Sequence, residues 1–100
     1  MQIIYEYDNV NSSENLESFA AEKLNKLEEK FDFVHRADVF FKKENTTATE
    51  TGSICNIRLS MPGPRIFAEA SHANFQQSIS ESINDLERQL RKHKEKMRNY

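Results

Sequence analysis

Residues 37–71 read ADVFFKKENTTATETGSICNIRLSMPGPRIFAEAS, and this stretch decides the fold. Ala37, Val39 and Phe41 alternate onto one face of a strand running from Ala37 to Lys43, which puts Phe40 on the opposite face as an exposed apolar residue usable for a partner. Glu44 to Thr51 is polar and rich in threonine, which suits either a loop or the frayed outer ends of a hairpin. From Ser53 to Ser60, Cys55, Ile57 and Leu59 alternate against Ile54, Asn56, Arg58 and Ser60. Met61-Pro62-Gly63-Pro64 is a turn, because proline fixes φ and cannot pair within a central strand. Arg65 to Ser71 then gives the third strand of a hairpin-linked set.

Outward from this block, both ends change period. Gln2 to Tyr7 is β-branched and aromatic, with Ile3, Tyr5 and Tyr7 facing one way and Ile4 and Glu6 the other. Ser13 is placed to cap a helix, with Glu14 and Glu17 in its first turn where the dipole is positive. Leu16, Phe19, Ala20, Leu24, Leu27 and Phe31 follow at helical spacing, so the helix spans about Glu14 to Lys30. At the far end Asn74 can cap a second helix. Phe75, Ile79, Ile83, Leu86, Leu90 and Met97 form its apolar stripe, and no glycine or proline interrupts it through Tyr100. The order is β-α-β-β-β-α. That predicts an α+β fold, a four-stranded sheet with two helices packed on one face, in a single domain over residues 1–100.

The chain has 14 basic and 16 acidic residues, a net charge of −2, but the charge is unevenly distributed. Residues 88–98 hold Arg88, Arg91, Lys92, Lys94, Lys96 and Arg98 against the single acid Glu95, while residues 1–87 carry 8 basic and 15 acidic residues. A near-neutral total therefore hides a basic end. On a helical wheel centred on Leu90, Arg88, Arg91 and Lys92 point outward, Lys96 lies on one flank and Arg98 on the other. On the first helix Lys23, Lys26 and Lys30 lie along one flank, because positions three and four apart are neighbours, and Glu17, Glu28 and Glu29 lie around the other side. If both helices cover the same sheet face, these lysines extend the basic surface of the second helix. Such a surface suits phosphates, since neutralising several at once releases condensed counterions, and arginine adds a planar fork for phosphate oxygens. No aromatic platform lies beside the cluster apart from Tyr100, which favours recognition of backbone and shape over reading of splayed bases. A basic run late in a helix also complements the helix dipole and keeps a surface soluble, and that plainer role stands beside the binding one.

Other chemistry is thinly represented. The lone Cys55 alternates with Ile57 and Leu59 as a small core residue and excludes an internal disulfide. His35, His72 and His93 have no metal-ligand spacing with it or with each other, and His93 falls within the basic face of the last helix. No nucleophile elbow, phosphate loop or dinucleotide fingerprint is present, and Asp32 and Asp38 around Arg36 make a weak acid–base pair. No catalytic residue, metal ligand or cofactor is therefore assigned, and no enzyme activity is expected. Met1 to Asp8 lacks the basic start and apolar run of a signal peptide, and no stretch has the apolar length to cross a membrane.

Residues 74–96, NFQQSISESINDLERQLRKHKEK, resemble the last helix of the short ribosome hibernation promoting factors, also known as ribosome-associated inhibitors or the sigma-54 modulation family. The specific part is Leu86 to Lys96, which follows the family's RQL-x-KHK-x-K signature. Glu22 to Phe31, EKLNKLEEKF, is similar to the family's first helix, and Asn9-Val10 before it matches too. Gln76, Gln77 and Ser78 depart from the aromatic and small residues common early in the family's last helix. The resemblance covers nearly the whole chain and implies a cytoplasmic protein. Its implied partner is the small ribosomal subunit and its rRNA, with no membrane and no small-molecule substrate, and with a second hibernation factor as a further partner. By matching position it assigns RNA binding to Lys23, Lys26, Lys30, Arg88, Arg91, Lys92, Lys94 and Lys96. It implies occupancy of the mRNA and tRNA channel during stress or stationary phase, by a chain of the short form without the C-terminal dimerisation domain of longer members. A general double-stranded RNA binder, and a regulatory module whose basic helix docks an acidic protein such as a transcription factor, are the alternatives.

Overall fold

The computed structural model describes residues 1–98, without the side chains of Met97 and Arg98, so the expectations for Met97, Arg98 and Tyr100 lie outside the described residues. Six elements follow in the order expected: β1 (Gln2–Asp8), α1 (Glu14–Lys30), β2 (Arg36–Lys43), β3 (Ser53–Ser60), β4 (Ile66–His72) and α2 (Phe75–Arg98). The sheet order is β1-β2-β3-β4. β1 and β2 are parallel, a pairing that needs a long crossover, and α1 supplies it. The other two pairings are antiparallel, with Val39 opposite Ile57 and Ile57 opposite Ala68. Three strands differ from the sequence reading by a residue at an end: β1 runs to Asp8, β2 begins at Arg36, and β4 runs from Ile66 to His72.

Local chemistry sets the element ends. Ser13 is extended, and its hydroxyl accepts the Leu16 N–H at 3.3 Å, as an N-cap must. Asn74 does the same for α2, its Oδ1 accepting the Gln77 N–H at 2.9 Å. The segment between β2 and β3 is a loop rather than an extended hairpin end. It is closed by the Glu44 N–H donating to the Gly52 carbonyl at 2.9 Å. Gly52 has φ +107°, and a β-carbon there would lie 3.0 Å from the Glu44 carbonyl oxygen, so the turn requires glycine.

Both helices cover one sheet face. Val39, Phe41, Ile57 and Leu59 from the sheet meet Leu24 from α1 and Ile79, Leu86 and Leu90 from α2, all essentially inaccessible to water. The polar start of α2 packs well because serine is small. The Ser78 hydroxyl donates to the Ser53 carbonyl at 2.5 Å, and the Ser82 hydroxyl to the Cys55 carbonyl at 3.1 Å. One turn apart, the two serines fasten the helix to β3 with no buried polar side-chain atom left unpaired among the described residues.

The other sheet face is uncovered. Phe40 points to it but is half-buried between the flanking strands β1 and β3; the exposed aromatic there is Phe67 on the edge strand, 61% accessible. The expectation for Phe40 is thus corrected, because a central strand shelters its side chains from both sides and an edge strand from one. Finally, α2 outruns the sheet. Its 24 residues span roughly 36 Å at the usual helical rise, its last fully buried side chain among the described residues is Leu90, and the molecule is 49 Å along its longest axis.

Candidate nucleic-acid interface

The apolar stripes of α1 and α2 fix which flanks meet. Leu24 and Leu27 face the core, which turns Lys23, Lys26 and Lys30 toward α2. The opposite flank of α1 faces β1, where the Tyr5 hydroxyl donates to the Glu17 carbonyl at 3.0 Å and the Tyr7 hydroxyl to its carboxylate. Glu28 on that flank pairs with the chain's amino terminus at 2.8 Å. Glu17 and Glu28 are thereby turned away from the lysine flank, which is the one shared with α2 and which also carries Glu22 beside Lys26.

The two helices join through Glu87. One carboxylate oxygen accepts from Lys30 Nζ at 3.0 Å and the other from an Arg91 guanidinium nitrogen at 2.7 Å. The Lys30 hydrogen bond, with help from the Arg91 charge, holds the Glu87 carboxyl below the usual carboxylate range despite some opposing burial. Beside this bridge lies a groove of 290 Å³ lined by Lys30, Phe31, Arg91, Lys94 and Glu95. Lys94 Nζ stands 5.8 Å from the Phe31 ring centroid, a cation–π distance that fixes it on the groove wall.

The structure therefore brings Lys30, Arg91 and Lys94 together and spreads the other five sequence-named cations around them. Lys23 lies over the Phe19 ring at 5.1 Å, Lys26 pairs with Glu22 at 3.6 Å, and Arg88 with Asp85 at 3.6 Å. Lys92 and Lys96 are exposed and make no salt bridge among the described residues. Arg91 is shifted from its outward placement on the wheel, because Glu87 draws it toward α1. His93 leaves the basic face altogether. It is half-buried, its ring is 5.7 Å from that of Phe33, and a β-carbon on Gly63 would sit 3.6 Å from its Cε1. It packs toward the β3–β4 turn as a spacer under the helix end.

Glu87 is the residue that sequence reasoning missed. Its spacing to Arg91 is a readable i,i+4 signal, but its contact with Lys30 spans 57 residues and needs the fold. Elsewhere the chemistry is quiet. Burial pushes the Cys55 thiol up to about 12, so the thiolate is suppressed. Among the described residues no cluster of His, Cys, Asp and Glu could hold a metal ion, and no helix is long and apolar enough to cross a membrane.

Comparison with known proteins bears on the family and the fold. The family model described as sigma 54 modulation protein / S30EA ribosomal protein matches residues 3–98. The ribosome hibernation promoting factor of Escherichia coli is 33% identical over 100 residues, covering all of both chains. The factor of the same name from Pseudomonas putida is 30% identical over 96 residues, covering 96% of this chain and 89% of its own. Among solved structures, a ribosomal subunit interface protein from Coxiella burnetii superposes with a TM-score of 0.80 at 22% identity, covering 94% of this chain and 98% of its own, which establishes the shared fold. With a family match across almost its whole length and an end-to-end relative at 33% identity, the chain belongs to the sigma 54 modulation protein / S30EA ribosomal protein family.

Proposed function

We propose that this protein binds the small ribosomal subunit through the basic surface shared by α1 and α2, occupies the channel used by mRNA and tRNA, and inhibits translation during stress or stationary phase. The observation that carries the reading is the joining of two basic helix flanks into one surface around Glu87, in a chain whose end-to-end relatives are named for ribosome hibernation. Lys30, Arg91 and Lys94 form the centre, with Lys23, Lys26, Arg88, Lys92 and Lys96 extending it. Their role is phosphate contact and placement of the protein, with no bond made or broken. Cations carried on helices fixed by a core meet an RNA backbone without the entropy of ordering a loop. Competitive occupancy then inhibits, because mRNA and tRNA cannot share the site. The setting is the cytoplasm, where ribosomes are, and a second hibernation factor is proposed as a further partner.

The test is co-sedimentation with small ribosomal subunits across a salt series, comparing the native protein with a variant carrying Arg88→Gln, Arg91→Gln, Lys92→Gln and Lys96→Gln. Each lost phosphate contact lowers the slope of log affinity against log salt by about 0.7 to 0.9, so the variant should lose about 3 units of slope and most of its binding. Equal sedimentation of the two proteins would refute docking through α2. Binding that survives RNase digestion of the subunits would favour an acidic protein partner instead.

A further inference from the structure

The sheet face turned away from the helices carries its own pattern. In register across β2, β3 and β4 stand Asp38, Arg58 and Phe67, so the Arg58 and Phe67 side chains are direct cross-strand neighbours. Arg36 stands one pleat from Asp38 and holds it in a forked ion pair at 2.9 Å, and Arg65 enters β4 two residues before Phe67. Arg58 and Arg65 are exposed and have no salt-bridge partner among the described residues. Arg36, Arg58 and Arg65 share an open trough of 870 Å³ with Asp38 and Phe40. The acids Glu6 and Glu69 line the same trough one row further on, opposite Phe40 and Asn56 respectively, so its end near the β3–β4 turn is the more positive one.

From this we infer that the free sheet face, at the end bearing Arg58, Arg65 and Phe67, is a second nucleic-acid surface that takes single-stranded RNA, with a base stacked on Phe67 and flanking phosphates held by the two arginines. The chemistry differs from that of the helix surface. There, cations lack an exposed aromatic platform among the described residues; here, the most exposed large hydrophobic side chain of those residues stands beside a guanidinium. A π-face accepts any base, and planar forks accept phosphate oxygens, which is how single strands are held without sequence preference. A protein partner fits less well, since a stable protein interface needs about 800 Å² per side around an apolar centre, and one aromatic ringed by charges does not supply it. Duplex RNA fits less well too, because its stacked bases cannot reach a sheet. The two surfaces lie on opposite sides of the molecule, so one copy can touch two RNA segments at once.

The experiment is fluorescence anisotropy of a labelled octauridylate with the whole protein, beside an RNA duplex of equal length and octaglutamate. Phe67→Ala should weaken octauridylate binding about tenfold, Phe67→Tyr should retain it, and Arg58→Gln with Arg65→Gln should lower its salt slope by about 1.4. Thermal melts of the three variants should match the native protein, since all three side chains are exposed. The four-glutamine α2 variant should keep the Phe67-dependent share of octauridylate binding, which separates this surface from the ribosome-docking one. The inference is overturned if the native protein does not bind octauridylate, if Phe67→Ala binds it unchanged, or if octaglutamate competes for the same face.

Discussion

Replacing Glu87 by glutamine keeps the shape of the side chain and removes the charge that joins the helices. Two ion pairs are lost, Lys30–Glu87 at 3.0 Å and Arg91–Glu87 at 2.7 Å. The cations are 58% and 61% exposed and the carboxylate 26%, so each pair belongs in the surface class, worth about 0.2 to 1 kcal/mol. The variant should therefore be less stable by about 1 kcal/mol at neutral pH and low salt, which for a domain of this size lowers Tm by roughly 4 to 8 °C. The pH dependence has a definite sign. The folded-state Glu87 carboxyl is depressed below its unfolded value, chiefly by the Lys30 hydrogen bond, so its contribution is complete above the unfolded pKa and disappears as pH falls through the folded one. Urea denaturation of both proteins at pH 7 and at pH 2.5 measures this, with 1 M salt as a third condition. The stability gap should be open at pH 7, narrower in high salt and closed at acid pH. A gap that persists unchanged at acid pH would refute the electrostatic account and point to packing instead. No gap at pH 7 would mean that Glu87 joins the helices in geometry without contributing to stability.

Two further outcomes follow from the buried polar chemistry. Ser78→Ala leaves the Ser53 carbonyl without its helix partner and should cost about 1 to 3 kcal/mol in urea denaturation, with the far-UV spectrum unchanged. Cys55 should resist a thiol reagent at pH 8 in the native protein and react at once in denaturant. Its thiol is raised to about 12 by burial, so the unfolded state alone ionises as pH rises past the ordinary thiol range, and stability should fall with pH over that interval.

How much of this was legible in the sequence divides by distance along the chain. Period-two and period-3.6 patterns are local, and they placed all six elements and the two caps, Ser13 and Asn74. The sorting of Lys23, Lys26 and Lys30 away from Glu17 and Glu28 was legible for the same reason, since a helix converts spacing directly into direction. What failed needed neighbours. Phe40 and Phe67 look alike in sequence, and only strand order shows that one is central and the other at an edge. His93 sits among lysines in the sequence, yet the β3–β4 turn beneath α2 gives it a different surrounding. Ser78 and Ser82 look like weak helix-face residues until β3 supplies carbonyls for them. The joining of Lys30 to Arg91 through Glu87 was invisible for the same reason: the fold creates the contact.

The overhang of α2 beyond Leu90 has a consequence for how the free protein stores energy. Arg88, Lys92 and Lys96 are spaced four residues apart, so like charges stack along one edge of the helix as it runs past Leu90, with Arg88 alone offset by an acid, Asp85, among the described residues. Such pairs destabilise a helix by a few tenths of a kcal/mol each. The unbound molecule thus holds its basic end under mutual repulsion, like a charged spring kept extended by the hydrogen-bond ladder. A phosphate arriving between two of these cations relieves that repulsion while it forms its own contact, so part of the binding energy is present as tension before any ligand appears. Added salt works on both sides of this balance, relaxing the free helix end as it weakens the phosphate contacts. The ordered length of α2 and its affinity for RNA should accordingly vary together with ionic strength, in opposite directions.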